Sequence, residues 1–309
     1  MRIVVTEFMD AGAVASLAAA HDTRYLPDLV DRPDALAAEA ANADALVVRN
    51  RTQVRGALLD GARKLRVVGR LGVGLDNIDV PACEARGIAV IPATGANAQA
   101  VAEYVIASAM LLLRGALRST DEVAAGRWPR TALSSGREIA GKTLGVIGFG
   151  DIGRRAARMG RALGMSAIGH DVALPPNAPA WRDEQVEPRD LDALLADADV
   201  VTLHVPLVTT TRNLIDARRL AAMKRGAILV NTARGGVVDE AAVAAALASG
   251  QLGGAALDVF DAEPLPAGSP LAGAPNLLLT PHVAGLTQEA NARVSTMIAE
   301  RVLAALALR

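Results

Sequence analysis

Short β-branched apolar runs alternate with alanine-rich segments along nearly the whole chain. Runs that are apolar at every position are typical of parallel strands buried on both faces, and the segments between them have the length of helices. The pattern predicts ten strands: RIVVTEF, ALVVRN, LRVVGRLG, IAVIPA, TLGVIG, SAIGHD, DVVTLHV, AILVNTA, GAALDV and NLLLTPH. Strands that alternate with helices favour an α/β fold with doubly wound parallel sheets.

The predicted strands form two groups, four before residue 97 and six after residue 140. A chain of 309 residues is longer than one usual domain, so two domains are expected. An apolar helical stretch, residues 99–119, lies between the groups and is long enough to cross between domains. The final helix, TQEANARVSTMIAERVLAAL, is predicted to return to the first domain, and LPPNAPAW (residues 174–181) to be a surface loop. The expected domains are residues 1–97 plus 287–309, and residues 98–286.

Charge and cysteine content narrow the classes of partner. The chain has 32 basic and 33 acidic residues, a net charge of −1, which favours neither nucleic acid nor an anionic membrane as a partner. A single cysteine, Cys83, rules out an intramolecular disulfide and a multi-cysteine metal site, and no metal is expected. The chain begins directly with a strand-like run, and its longest central apolar run, residues 105–113, is too short to span a bilayer. A soluble, cytoplasmic protein is therefore expected.

A glycine-rich turn stands between a predicted strand and a predicted helix in GKTLGVIGFGDIGRRAARMGRALG. Gly148 would make the tight turn, Gly150 would let the backbone approach a pyrophosphate, and Gly153 would let the helix pack closely on the strand. The N-terminus of that helix would direct free N–H groups at the phosphates. The next predicted strand, SAIGHD, ends in Asp171, 18 residues after Gly153, where an acidic side chain takes the ribose hydroxyls. The pattern predicts a dinucleotide-binding βαβ unit.

Three further strand ends carry residues suited to chemistry on a hydroxy acid. Arg234 follows AILVNTA, where a guanidinium can hold a carboxylate by two hydrogen bonds. Asp258, Asp261 and Glu263 lie in or just after GAALDV, and any of these carboxylates could accept a hydrogen bond from an imidazole and fix its tautomer. His282 follows NLLLTP and is interpreted as a proton carrier. Because the carboxyl ends of parallel strands share one sheet edge, we expect these groups to converge, as hydride transfer to a 2-oxo acid requires.

The motifs GFGDIG, LHVPL, NTARGG, DVF-x-x-EP and TPH, in this order, resemble the D-isomer-specific 2-hydroxyacid dehydrogenase family, in particular its D-3-phosphoglycerate dehydrogenase-like members. The resemblance runs nearly end to end and includes GRLGVGLDNID and TGANAQAVAEYV. It implies a Rossmann-type NAD-binding domain inserted into a flavodoxin-like substrate-binding domain, with NAD as cofactor and a homodimer formed through the nucleotide domain. A short form without a C-terminal regulatory domain is expected, and therefore no feedback regulation by that route.

The resemblance also implies residue roles. Arg234 would bind the substrate carboxylate, His282 would exchange the hydroxyl proton, and Glu263 would hold and electrostatically tune the imidazole. Cofactor contacts are implied for Gly148, Gly150, Asp151, Ile152, Gly153, Asp171, His204, Val205, Pro206, Thr232, Ala233, Arg234, Asp258, His282, Ala284 and Gly285. Substrate contacts are predicted for Arg49, Asn50, Arg51, Val73, Gly74, Arg234 and His282.

Two other functions are alternatives to this interpretation: formate oxidation and NAD(H) sensing by a corepressor-like binding protein. Formate-oxidising relatives carry Gln where this chain has Glu263, and formate has no hydroxyl proton to transfer. Corepressor-like proteins that sense NAD(H) keep the same catalytic residues, but the chain lacks the tails or low-complexity segments that partners would bind. The sequence departs from the family pattern after the histidine. The family usually reads His-x-Gly, whereas this chain reads His282-Val283-Ala284-Gly285, so the glycine expected near the nicotinamide is displaced by one position.

The sequence also predicts cofactor preference and substrate type. Asp171 is followed by Val172 and not by Arg, which favours NAD over NADP because the carboxylate repels a 2′-phosphate. In VVRNRT, strand alternation would place Arg49 and Arg51 on one face as a paired anion site. A substrate with an anionic group on C3 is therefore expected, of the 3-phosphoglycerate or 3-sulfolactate type. The EFMD opening and the HVAG variant are similar to sulfolactate dehydrogenases; a general glyoxylate/hydroxypyruvate reductase is the alternative.

Overall fold

The computed structural model describes residues 1–117 and 119–308. Two compact units are formed: unit 1 is Met1–Asn97 together with the C-terminal segment that begins at Leu286, and unit 2 is Ala98–Gly285. Arg118 and Arg309, which fall within predicted elements or domains, lie outside the described residues. Among the described residues, no helix has the length and apolar character needed to cross a membrane.

Unit 1 is built on a five-stranded parallel sheet with the strand order β2-β1-β3-β4-β5. This is the flavodoxin-like order. The strands are β1 Arg2–Val5, β2 Asp22–Tyr25, β3 Ala45–Val48, β4 Val67–Arg70 and β5 Ala89–Pro92. The helices are α1 Ala11–Ala20, α2 Pro33–Ala41, α3 Gly56–Gly61, α4 Val80–Ala85 and α13 Gln288–Ala307, with a 3₁₀ turn at Leu29–Asp31.

Both faces of this sheet are buried, which explains its continuously apolar strands. Ile3 and Val47 face one hydrophobic cluster, while Val4 and Leu46 face a second cluster on the opposite side. The C-terminal helix α13 covers the first face so closely that a Cβ at Gly69 would lie only 2.7 Å from a methyl group of Val302. Thr287 caps α13 by accepting the N–H of Ala290. The end of the chain is therefore part of the same core as its beginning.

Unit 2 is built on a seven-stranded parallel sheet with the order β12-β11-β10-β9-β6-β7-β8. From β6 outward in both directions this is the classic Rossmann order with one strand added, so the predicted fold class is confirmed. The strands are β6 Thr143–Ile147, β7 Ser166–His170, β8 Glu187–Pro188, β9 Val200–Leu203, β10 Ala227–Asn231, β11 Leu252–Leu257 and β12 Leu277–Leu279. The helices are α5 Ala98–Arg114, α6 Ser119–Ala124, α7 Arg130–Leu133, α8 Asp151–Ala162, α9 Pro179–Asp183, α10 Leu191–Asp197, α11 Ala217–Ala222 and α12 Glu240–Ala248.

Two local predictions in unit 2 were wrong. The helix expected over residues 99–119 ends at Arg114, because Gly115 follows with φ +65°, a left-handed conformation that terminates helices. The proline-rich segment 174–181 is not simply a surface loop, since it runs into α9 and buries Trp181 to 3% exposure. The indole stacks on Phe149 with ring centroids 4.4 Å apart, which fastens this segment to the glycine-rich turn.

Candidate functional site

Gly148 and Gly153 have the structural roles that the spacing of the three glycines after β6 predicts. Gly148 adopts φ +91°, and a Cβ there would collide with the carbonyl of His204. A Cβ at Gly153 would collide with the carbonyl of Gly148, so α8 packs directly against the turn. Gly150 precedes α8, and a Cβ there would meet nothing within 4 Å. The turn therefore leaves open space beside the N-terminus of a 12-residue helix, where a phosphate group fits.

Asp171 follows β7 and joins two backbone segments at the same edge of the sheet. One carboxylate oxygen, Oδ2, accepts the N–H of Phe149 at 2.7 Å, and Oδ1 accepts the N–H of Ala173 at 2.8 Å. The side chain thus holds the glycine-rich turn against the end of β7. Each carboxylate oxygen can accept a further hydrogen bond, so the geometry leaves capacity for ribose hydroxyls.

Two buried polar atoms at this edge support a cofactor fit. Within the described part of the chain, Nδ1 of His204 and Oγ1 of Thr232 have no hydrogen-bond partner. Both residues follow adjacent strands, β9 and β10, and burial lowers the pKa of His204 from 6.5 to about 3. The imidazole is therefore neutral at pH 7, with its Nε2 3.0 Å from Oγ1 of Thr202. Unsatisfied buried groups of this kind are rare, and polar groups of a bound dinucleotide would complete them.

Arg234 lies in a tight turn after β10. The amide of Asn231 donates to the carbonyl of Arg234 at 3.0 Å and accepts the N–H of Ala233 at 3.0 Å. Nη1 of Arg234 donates to the carbonyl of Ala233 at 2.7 Å. A Cβ at Gly235 would collide with the carbonyl of Phe260, so this turn packs directly on the loop after β11. Strand order therefore brings Arg234 next to the loop that carries Glu263.

Glu263 and His282 form a hydrogen-bonded pair. Nδ1 of His282 lies 2.9 Å from Oε2 of Glu263, while Oε1 of Glu263 accepts the N–H of Phe260 at 3.1 Å. The second bond orients the carboxylate towards the imidazole. Side-chain exposures of 51% for His282 and 38% for Glu263 leave the ring open to solvent on one side. Of the three acidic candidates, Glu263 is the one paired with the imidazole, whereas Asp261 lies exposed.

Asp258 is buried, with 1% exposure, and its side chain forms hydrogen bonds with the loop that carries His282. Its carboxylate accepts the N–H groups of Val283 and Ala284, both at 2.8 Å, and the hydroxyl of Thr280 at 2.6 Å. These bonds were not foreseen from the sequence. Direct cofactor contacts of Asp258, Ala284 and the other predicted binding residues stay predictions.

In unit 1, the predicted substrate residues follow the ends of β3 and β4. The segment Arg49, Asn50 and Arg51 comes after β3, and Val73 and Gly74 come after β4. The prediction that Arg49 and Arg51 share one strand face was wrong, because β3 ends at Val48. Arg51 pairs with Asp31, whereas Nη2 of Arg49 donates to Oδ1 of Asn291 at 2.6 Å. The two guanidinium groups thus have different partners.

Sequence reasoning missed Glu7, which organises this segment. Glu7 is 4% exposed, and its carboxylate accepts the N–H groups of Arg49, Arg51 and Thr52 at 2.9, 3.1 and 3.0 Å. The guanidinium of Arg49 lies 5.7 Å from the ring centroid of Phe8. An acidic residue that continues an apolar strand, as in RIVVTEF, was the available signal, because a buried carboxylate needs dedicated donors.

Comparisons with known proteins agree with this geometry. The family described as D-isomer specific 2-hydroxyacid dehydrogenase, NAD binding domain, matches residues 106–284. An (S)-sulfolactate dehydrogenase from Chromohalobacter salexigens is 50% identical over 307 residues, which cover 99% of each chain. A D-3-phosphoglycerate dehydrogenase from Methanocaldococcus jannaschii is 39% identical over 303 residues, which cover 98% of this chain and 57% of that protein. The crystal structure of the TT0316 protein from Thermus thermophilus has a TM-score of 0.90 at 34% identity and covers 100% of this chain and 98% of that one.

The fold and these matches define a nicotinamide-dependent oxidoreductase, and the chain belongs to the D-isomer specific 2-hydroxyacid dehydrogenase family. It is an NAD-dependent 2-hydroxyacid dehydrogenase, so the predicted family, cofactor and reaction class are confirmed.

Proposed function

We propose that His282 is the proton carrier of this dehydrogenase, that Glu263 stabilises its protonated form, and that Arg234 binds the substrate carboxylate. The observation that carries the proposal is the hydrogen bond of 2.9 Å between Nδ1 of His282 and Oε2 of Glu263. This bond leaves Nε2 as the nitrogen that can exchange a proton with the substrate oxygen.

During reduction, NADH when bound supplies the hydride that adds to C2 of the 2-oxo acid. Arg234 holds the C1 carboxylate by charge-assisted hydrogen bonds and thereby orients C2. His282, protonated, donates its Nε2 proton to the oxygen on C2 as negative charge develops there. The carboxylate of Glu263 favours the imidazolium that this step consumes. In the reverse direction the neutral imidazole accepts the hydroxyl proton.

Substitution of the pair tests these roles. His282→Ala should lower kcat by roughly two to four orders of magnitude while NADH binding stays nearly unchanged. Glu263→Gln should move the pH optimum of reduction towards acid, because the imidazolium loses a neighbouring negative charge. A folded His282→Ala variant that retains near-normal turnover would overturn the proposal.

We infer further that the substrate carries an anionic group on C3, with 3-sulfopyruvate and (S)-sulfolactate as the preferred pair. The support is the 50% identity, over nearly the whole chain, with a protein named (S)-sulfolactate dehydrogenase. The (S) descriptor and the D specificity of the family describe the same handedness. In the rules that assign R and S, the sulfomethyl group ranks above the carboxylate because sulfur ranks above oxygen. (S)-Sulfolactate therefore has the spatial arrangement of a D-2-hydroxy acid.

A steady-state screen tests the substrate. With NADH, 3-sulfopyruvate should give a higher kcat/KM than pyruvate, glyoxylate, hydroxypyruvate or 3-phosphohydroxypyruvate. If the acids without a C3 anion are preferred, the protein is a general glyoxylate/hydroxypyruvate reductase. If none is turned over although NADH binds, the role is that of a binding protein.

Two matched variants test which cation recognises the C3 group. Arg49 is half-buried in unit 1, and Arg51 is exposed and paired with Asp31. Arg49→Ala should raise KM for 3-sulfopyruvate much more than KM for pyruvate, whereas Arg51→Ala should have the smaller effect. Equal effects on both substrates would argue against an anion-binding role for Arg49.

We also propose that the protein forms a homodimer through unit 2. Three large apolar side chains, Met110, Val123 and Trp128, are 43%, 45% and 76% exposed within one stretch of that unit. Exposed apolar side chains concentrated in one segment are typical of protein–protein contact surfaces.

A further inference from the structure

Next to the His282–Glu263 pair, a second hydrogen-bond network joins Tyr104, Thr280 and Asp258. None of these side chains has a part in the proton transfer proposed above. Tyr104 lies on α5, and its hydroxyl oxygen is 2.6 Å from Oγ1 of Thr280. Thr280 follows β12, two residues before His282, and its hydroxyl donates to Oδ1 of Asp258 at 2.6 Å. A side chain on a distant helix is thus connected to the loop that carries the imidazole.

The direction of these hydrogen bonds follows from proton count. An ionised carboxylate only accepts, so the single proton of the Thr280 hydroxyl is donated to Asp258. The hydroxyl of Tyr104 must then donate to Thr280. Burial raises the pKa of Tyr104 above its usual value of 10.0; the bond to Thr280 opposes this rise and the charge of Asp258 adds to it. Tyr104 therefore keeps its proton at neutral pH and remains a donor.

Asp258 connects the two hydroxyls to the backbone around the imidazole through further hydrogen bonds. Its carbonyl accepts the N–H of His282 at 2.9 Å, and its carboxylate accepts the N–H groups of Val283 and Ala284 at 2.8 Å each. Three consecutive N–H groups are therefore bound to one residue. His282 itself has φ +56°, a left-handed conformation that is unfavourable for residues other than glycine. Such a conformation persists when surrounding bonds determine it, and the bonds to Asp258 do so here.

We propose that Tyr104 and Thr280 are positioning residues for His282. They orient the Asp258 carboxylate, which holds the N–H groups of Val283 and Ala284 directly after His282 and thereby directs the imidazole towards Glu263. The inference rests on the proposed role of His282 as proton carrier. Neither Tyr104 nor Thr280 touches the reacting atoms in this scheme.

The test uses hydroxyl deletions in the full-length protein. Tyr104→Phe should lower kcat of reduction about 3- to 10-fold, the effect of one neutral hydrogen bond, and Thr280→Val about 10- to 100-fold, because its bond is to a charged group. Thr280→Ser, which retains the hydroxyl, should restore kcat to within about threefold. Tyr25→Phe, at the other tyrosine of the chain and in unit 1, is the matched control and should have no effect.

The pH profile distinguishes positioning from a merely structural role. When the imidazole is held less firmly against Glu263, the alkaline limb of the reduction profile should move to lower pH in Tyr104→Phe and Thr280→Val. A loss of folded protein would instead scale the rate equally at every pH. In a His282→Ala background, Tyr104→Phe should leave the residual rate unchanged, because nothing remains to be positioned.

Two results would overturn the inference. One is that Tyr104→Phe retains the wild-type kcat and the wild-type pH profile. The other is that Thr280→Val lowers kcat without moving the pH profile, and that Thr280→Ser does not restore kcat. If Thr280→Val does not fold, the comparison of Tyr104→Phe with Tyr25→Phe decides by the same criteria. Failure of the proposed function is distinct, because His282→Ala would then retain activity whatever the Tyr104 variants show.

Discussion

At the scale of single residues, we propose that Asp171 selects the cofactor in addition to holding the glycine-rich turn. Its carboxylate accepts the N–H of Phe149, and a negative charge at this position would repel a 2′-phosphate. We predict a higher kcat/KM with NADH than with NADPH. Asp171→Asn should lower the ratio of these two kcat/KM values by about tenfold or more. Asn keeps the size of the side chain, whereas Asp171→Ala should additionally raise KM for NADH because the turn loses its anchor. Comparable efficiency with both cofactors in the unmodified enzyme would contradict the prediction.

His204 makes the stability of the protein depend on pH. Burial lowers its pKa to about 3, so between pH 6.5 and about 3 the unfolded chain binds a proton that the folded chain does not. The free energy of unfolding therefore falls as the pH falls, by about 1.4 kcal/mol per pH unit from this residue. Between pH 7 and pH 5, wild type should lose about 2 kcal/mol more stability than His204→Gln in urea unfolding.

The control for this measurement is His21→Gln, a half-buried histidine at the end of α1. It should leave the pH dependence of the wild type unchanged. If the free energy of unfolding falls equally with pH in wild type and in His204→Gln, His204 is not the group that makes stability depend on pH.

At the scale of elements, two loops that follow strands are held in place by hydrogen bonds to buried carboxylates. They are the loop after β3 and the loop after β12. Glu7 binds three N–H groups of residues 49–52, and Asn77 adds hydrogen bonds to the carbonyls of Arg49 and Thr52 at 3.1 and 2.7 Å. In unit 2, the carboxylate of Asp258 likewise accepts the N–H groups of Val283 and Ala284. In both units, a carboxylate at the end of one strand shapes the loop after a neighbouring strand.

Removing the acid should therefore loosen the loop. Glu7→Ala leaves three N–H groups without their acceptor, which should speed hydrogen–deuterium exchange of residues 49–52 by about 10- to 100-fold. KM for the 2-oxo acid should rise because the backbone of Arg49 is no longer held. Glu84→Ala, at an exposed glutamate, should change neither quantity. Unchanged exchange in Glu7→Ala would mean that other bonds suffice to hold the loop.

At the scale of the whole molecule, the proposed homodimer gives a mass prediction. Light scattering should report about twice the chain mass of 31.8 kDa. Trp128→Ser should weaken the association, because a 76% exposed indole would be buried in the contact, whereas Val208→Ser, at a 48% exposed residue elsewhere in unit 2, should not. A wild-type protein that stays at the monomer mass at micromolar concentration would contradict the proposal.

The sequence by itself determined the elements with strong local signals. All ten predicted strands are present, because buried parallel strands must be apolar throughout. The glycine-rich turn was predictable for a similar reason, since its backbone conformation needs glycine at defined positions. The strands β2 and β8 were missed: β2 is mostly exposed and β8 has two residues, so neither carries an apolar pattern. The identity of Arg234, Glu263 and His282 as candidates also came from local motifs.

Tertiary structure decided which side chains meet. Tyr104 and Thr280 are 176 residues apart in sequence, and Arg49 and Asn291 are 242 apart, so no local pattern could pair them. It also decided that the side chains of Arg49 and Arg51 have different partners after β3, Asn291 for Arg49 and Asp31 for Arg51. Local sequence encodes backbone preference and burial, but hydrogen-bond partners across a sheet edge depend on strand order and loop path, which only the folded core sets.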